Sequence, residues 1–381
     1  MRQPLNPRLN SGWLFLINVF WKGITLFLLI NLVFAAVDPV DRIAKISAYN
    51  VLFPGRPRLP FGEDPGKSYN FSLFSLEAMF ASHEIAALPK HPGEFRVILL
   101  GDSSVWGTLL KPEETLSSQL EARVSSKCDG KRVRIYNLGY PTISLTKDVL
   151  ILAEAMDYQP DLIIWLTTLE AFPSDKQVTS PLVAHNYHRL ENLVSEWGLN
   201  INLDDPEIYH LSLFGQTIIG RRRDLADLAR LQLYGILWSA TGIDQVYPQQ
   251  YPKPQVDLTS DPSYHGWLPQ DLPRSELALD ILDTGMLIAG RVPVVLVNEP
   301  IMISNGKNSD LRYNFYYPRW AYDQYRRLLQ EKSHQMSWKY LDVWDRVPAQ
   351  EFTNSAIHLT PFGINILAEQ LETTLEQEVC K

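Results

Sequence analysis

Hydrophobic and polar positions along the chain change rhythm near residue 95. From there, short apolar runs recur at Val97–Leu100, Val133–Tyr136, Leu162–Leu166, Pro293–Val297 and Tyr340–Val343. Between them lie stretches with apolar residues three and four apart: Thr115–Ser125, Leu145–Met156, Glu276–Ala289 and Tyr322–Lys332. A fifth such stretch, Ile364–Glu378, closes the chain. Unbroken apolar runs read as strands buried on both faces, and the helices between them supply the crossovers of a parallel sheet. The pattern predicts an α/β, flavodoxin-like three-layer fold with a five-stranded parallel sheet.

Two regions break the rhythm. Phe172–Pro273 reads as a long insertion, with one helix expected over Arg221–Gly242. That helix starts in a basic cluster, Arg221-Arg222-Arg223, and ends strongly apolar. Such a pattern fits a helix lying on a membrane or partner, but Leu, Ile and Trp at helical spacing more often mean a buried helix. Asp38–Pro92 is rich in Pro, Gly and aromatics and reads as a lead-in packed on the domain without contributing a core element.

The amino terminus adds a third feature. Gly12–Val37 is apolar over a length sufficient for a bilayer, which needs about 20 residues. Arg2 and Arg8 precede it and Asp38 and Asp41 follow, so the positive-inside rule keeps residues 1–11 in the cytoplasm and exports the rest. Lys22 interrupts the span; read as the end of a basic leader, it makes Ile24–Ala36 the apolar core of a cleavable signal peptide. The uncleaved anchor is preferred, because Trp13–Phe20 is too apolar for an ordinary leader. The expected division is a 12–37 transmembrane anchor, a 38–92 lead-in, and a 93–381 α/β domain with the insertion at about 172–273.

Composition narrows the function classes. The 381 residues are 45% hydrophobic and 20% charged, with net charge −8, which argues against a nucleic-acid partner. The two cysteines, Cys128 and Cys380, have no metal-ligand spacing, although they could form one disulfide. His185, His188, His210 and His265 fall in the insertion at spacings that fit no closed metal site and read as surface or cleft residues. No metal or organic cofactor is called for.

Chemistry gathers at the carboxyl ends of the expected strands, where open α/β sheets place their sites. The first ends in Gly101-Asp102-Ser103-Ser104 and the second in Asn137-Leu138-Gly139. The third ends in Thr167-Thr168-Leu169-Glu170 and the fourth in Asn298-Glu299-Pro300; His358 precedes the last helix. Gly-Asp-Ser alone is a common turn, and a lone histidine before a helix is commonly a cap. Together, on one sheet edge, they suit a serine nucleophile activated by an imidazole base. Backbone N–H groups at Ser103 and Gly139 could hold an oxyanion. Leu311–Leu329, dense in Tyr, Trp and Arg, is expected near this edge, either packing a helix entry or offering aromatic and Arg contacts to carbohydrate or anionic groups.

These three blocks, "GDSS", "NLGYPTIS" and "AIHLTPFG", resemble those of SGNH/GDSL hydrolases over Phe95–Ala171 and Val292–Glu378. The resemblance implies Ser103 as nucleophile, His358 as base and Asp102 as a structural residue. It implies an ester substrate, an acyl or acetyl ester of a cell-surface glycan or lipid. Two positions depart from the family pattern. Leu169 stands where an asparagine would donate to the oxyanion, leaving Thr167 or Thr168 as substitutes. Ser355, with Asn354 beside it, stands where the family has the triad aspartate. Either could orient His358 by a hydrogen bond, while Glu299 is the first candidate for a relocated acid and Asp345 and Glu351 are weaker ones. Anchored proteins resembling this family also work beside a membrane-bound O-acyltransferase, which makes acyl transfer to an exported polymer the alternative to hydrolysis. A catalytically inactive binding scaffold is a third reading.

Overall fold

The structure, a computed structural model, describes residues 8–53, 55–61, 74–87, 89–125, 132–269 and 271–380. Cys128 lies outside them. Helix α1 (Arg8–Val37) is followed by the short α2 (Val40–Ala44), α3 (Ala48–Leu52) and α4 (Leu76–Ala81) before β1 (Glu94–Leu100). α5 (Ser103–Trp106) and α6 (Leu116–Ser125) lead to β2 (Arg132–Asn137), and α7 (Leu145–Ala155) to β3 (Leu162–Thr167). The insertion carries α8 (Pro181–Ala184), α9 (Tyr187–Trp197) and α10 (Arg222–Thr241). α11 (Leu279–Ala289) precedes β4 (Val294–Asn298), α12 (Arg319–Met336) precedes β5 (Lys339–Asp342), and α13 (Pro361–Val379) follows.

The five strands form one parallel sheet in the order β2-β1-β3-β4-β5. That is the expected flavodoxin-like order, with the reversal of winding at β1 and β3. Alternate residues of each strand feed opposite faces. Ile98, Leu100, Ile163 and Trp165 join the core beneath α7 and α11. Val97, Leu99, Ile164 and Leu166 join the core beneath α6 and α13. Close helix approach on the first face depends on Gly285 of α11, where an added Cβ would sit 2.5 Å from the Trp165 ring.

The lead-in differs from expectation. Leu59, Leu76, Ala78, Met79 and Phe80 are fully buried within the larger core, so it is a structural part of the domain. Two of its arginines explain the attachment. Arg56 Nη2 lies 2.6 Å from Asp244 Oδ2, and Arg58 Nε lies 2.7 Å from the same atom. Arg58 also donates to the carbonyls of Gly107 and Leu110, each at 3.0 Å, on the segment just after α5. Irregular sequence thus ties the amino end, the insertion and the first strand-to-helix turn together.

Candidate active site

β1 stops at Leu100 because Gly101 and Asp102 make the turn, and Ser103 is the first residue of α5. Asp102 Oδ1 accepts the Ser104 N–H at 2.8 Å, capping the helix. As the first residue of α5, Ser103 keeps a backbone N–H with no intrahelical acceptor. On the far side, Phe352 and Leu359 pair as an isolated antiparallel bridge, and Thr353 N–H donates to the His358 carbonyl at 2.8 Å. The tight loop so formed carries both Asn354 and His358.

The two ends of the domain meet here. His358 Nε2 lies 2.7 Å from Ser103 Oγ, and His358 Nδ1 lies 2.8 Å from Asn354 Oδ1. An amide oxygen only accepts, so Nδ1 carries the ring proton and Nε2 turns its lone pair to the serine hydroxyl. Burial lowers the imidazole pKa to about 4, although one edge of the ring remains in reach of solvent. At neutral pH the ring is unprotonated, the state a general base requires.

The other expected residues have different partners. Glu299 is buried, and its Oε2 is hydrogen-bonded to Ser104 Oγ rather than to His358. It is therefore not the group that orients the ring. Desolvation, reinforced by the nearby Asp102 carboxylate, pushes its carboxyl well above the usual range. Burial raises Asp102 and Asp148 as well, and Lys147 is the cation among them. Ser355 lies close to Tyr316, and Nδ1 is held by Asn354. Of the weaker acids, Glu351 accepts from the Thr360 hydroxyl and Asp345 lies 3.8 Å from Arg346.

The expected oxyanion donors also change. Gly139 must be glycine, since a Cβ there would lie 2.4 Å from Trp106 N. Its N–H, however, donates to Asn137 Oδ1 at 3.0 Å. Thr168 is fully buried and donates its hydroxyl to Tyr317 at 3.0 Å. Leu169 is buried apolar surface. Ser103 N–H is left as the main-chain donor beside the Ser103 hydroxyl.

Comparison with known proteins gives a fold-level likeness. Among solved structures, a carbohydrate acetylesterase family member from Sinorhizobium meliloti matches at 13% identity and TM-score 0.33, over 74% of this chain and 98% of that one. An acetylxylan esterase from Geobacillus stearothermophilus matches at 12% identity and TM-score 0.36, over 77% and 96%. An aryl esterase of M. smegmatis matches at 11% identity and TM-score 0.32, over 74% and 98%. No protein-family model and no curated protein sequence matches the chain.

Two supporting features were not singled out from sequence. Lys147 is fully buried; its Nζ donates to the Gly101 carbonyl at 2.8 Å and pairs with Asp148, which accepts from Trp165 Nε1 at 3.0 Å. The signal was a Lys-Asp pair inside an otherwise apolar helix. Asn137 Nδ2 donates to the Val105 carbonyl at 2.8 Å, so this side chain joins β2 to α5. The aromatic stretch does reach the site. Tyr316, close to Ser355, lines a cavity of about 220 Å³ with Thr142, Glu170, Lys176 and Ser180. Tyr317, Tyr322 and Tyr325 pack into the core, and Arg312 donates to the Phe315 and Tyr316 carbonyls at 3.0 and 2.9 Å.

Proposed function

We propose that this chain is a serine-dependent ester hydrolase of SGNH/GDSL type, held at a membrane by α1 with its α/β domain on the extracytoplasmic side. Its substrates are acyl or acetyl esters of cell-surface glycan or lipid. The observation that carries the reading is the relay Ser103 Oγ–His358 Nε2–His358 Nδ1–Asn354 Oδ1, with links of 2.7 and 2.8 Å. Ser103 Oγ adds to the ester carbonyl while its proton passes to Nε2, and the developing oxyanion meets the Ser103 N–H. Collapse expels the alkoxide, which takes the proton back from Nε2 and leaves an acyl-serine. Water, deprotonated by the same nitrogen, then releases the acid.

A second reading, transfer of the acyl group to a hydroxyl acceptor in concert with a membrane-bound O-acyltransferase, is favoured by the cavity beside Ser355. Its hydroxyls and the Glu170–Lys176 pair, 3.0 Å apart, suit a polyol. A fluorophosphonate probe on purified protein tests both readings. Wild type should be labelled and should turn over a simple aryl acetate, and Ser103→Ala should do neither. An unlabelled wild type supports the binding scaffold instead. Acyl partition to an added polyol over water separates transfer from hydrolysis.

A further inference from the structure

α1 does not stand clear of the domain. Asn31 Oδ1, six residues before the helix ends at Val37, accepts the Ile219 N–H at 3.4 Å. Arg221 Nη2 lies 3.6 Å from Asp38 Oδ1. Six residues rise about 9 Å, so the loop entering α10 lies beside the last turns of α1 rather than beyond them. The apolar stretch Gly12–Val37 is about 39 Å long at the same rise, some 9 Å more than a hydrocarbon core of about 30 Å. With α1 across a bilayer, the lipid boundary therefore falls close to Asn31, at the depth of this loop.

The residues around that contact are apolar and exposed. Leu213 and Phe214 in the loop are 83% and 64% exposed. Leu233, Ile236 and Leu237 are exposed along the second half of α10, while Arg222 and Arg223 are exposed at its start. α10 is bound to α3: a Cβ at Gly235 would lie 2.1 Å from the Tyr49 ring, and Gln232 Oε1 accepts the Ala48 N–H at 2.7 Å. α3 and the turn before it add Ile46, Val51 and Leu52, with Val51 85% exposed. Elsewhere, exposed large apolar residues are scattered, as with Leu287 on α11 and Phe362 on α13. A soluble surface seldom concentrates them in this way.

We propose that the 211–221 loop, α10 and α3 form a lipid-seating face that lies in the interfacial layer of the leaflet from which Val37 emerges. Leu213, Phe214, Leu237, Val51 and Leu52 enter the acyl boundary, and Arg222 and Arg223 meet lipid phosphates. The proposal rests on α1 being a membrane anchor. Lipid is favoured over a protein partner because the face meets α1 at the span's own depth and carries basic residues at its edge. Seating fixes the height of Ser103 above the membrane, so only esters within that reach are served.

The test uses full-length protein in phosphatidylcholine–phosphatidylglycerol vesicles doped with a diazirine-bearing phosphatidylcholine, with adducts mapped by peptide mass. Adducts are expected on α1, on residues 211–221 and 233–243, and on residues 46–52. Each should be labelled several-fold above the segments holding Leu287 and Phe362. Phe214→Asp and Leu237→Asp should each reduce labelling of their own segment while leaving aryl-acetate turnover unchanged. Labelling of α1 with the other segments at the Leu287 level overturns the proposal and leaves the anchor intact. Absence of labelling on α1 removes the anchor and the proposal with it. Lipid adducts replaced in native membranes by protein cross-links at the same segments identify a protein occupant and also overturn it.

Discussion

Asn354 is the group that faces Nδ1 of His358. It can hold Nδ1–H but brings no charge to offset an imidazolium, and burial alone has already lowered the ring to about 4. In the proposed mechanism the neutral ring is the active form, so kcat/KM should rise as pH climbs through about 4 and stay level through neutrality; a pH–rate profile on an aryl ester checks this. Asn354→Asp places a carboxylate beside Nδ1, which favours the charged ring. The acid limb should then move upward and turnover should increase, toward the factor of about 10⁴ that separates Asp from Asn in the serine-protease triad. Glu299→Gln provides the contrast. Burial and the nearby Asp102 push the native carboxyl upward beneath Ser104, and an amide keeps its size and an acceptor oxygen for that hydroxyl. Turnover at neutral pH should change little; a loss approaching that of Ser103→Ala would show that a charged Glu299 is needed.

Among the elements, the lead-in clamp shows what pattern could and could not reveal. The five strands lie within a few residues of their apolar runs, because a strand buried on both faces leaves little choice of composition. Ser103 and His358 were legible for a related reason: both occupy strand ends or helix starts, which turn residues mark. The burial of Leu76–Phe80 was not legible, since no periodic run announces it amid Pro and Gly. Nor were the partners of Glu299 and Gly139, which depend on Ser104 and Asn137 folding against them. Asp244 gave no sign of its charge partners, since the two arginines lie 186 and 188 residues away. Burial would push its carboxyl up, but Arg56 and Arg58 outweigh that and hold it well below the usual carboxylate range. Its stabilisation is therefore complete above the ordinary carboxylate pKa and disappears only as pH falls through the depressed value. Asp244→Asn leaves two buried guanidiniums short of charge and should cost about 3–5 kcal/mol, measurable by denaturant unfolding. Because Arg58 also holds the Gly107 and Leu110 carbonyls, the surviving folded fraction should turn over more slowly.

For the whole molecule, the proposed function makes α1 the anchor and puts the Ser103 edge outside the cytoplasm. A reporter enzyme fused after Lys381 should be active only when it works outside the cytoplasm, and protease added to intact spheroplasts should digest the α/β domain. Protection of the domain in that assay would place it on the other side.

Ser103 and His358 are separated by 255 residues of chain. Loop closure over such a distance comes late in folding, after the nearer contacts of each strand and helix have formed. During synthesis Ser103 therefore emerges long before His358, and a chain released short of residue 354 holds the serine without that imidazole. Under the proposed function, hydrolysis begins only once the chain is finished.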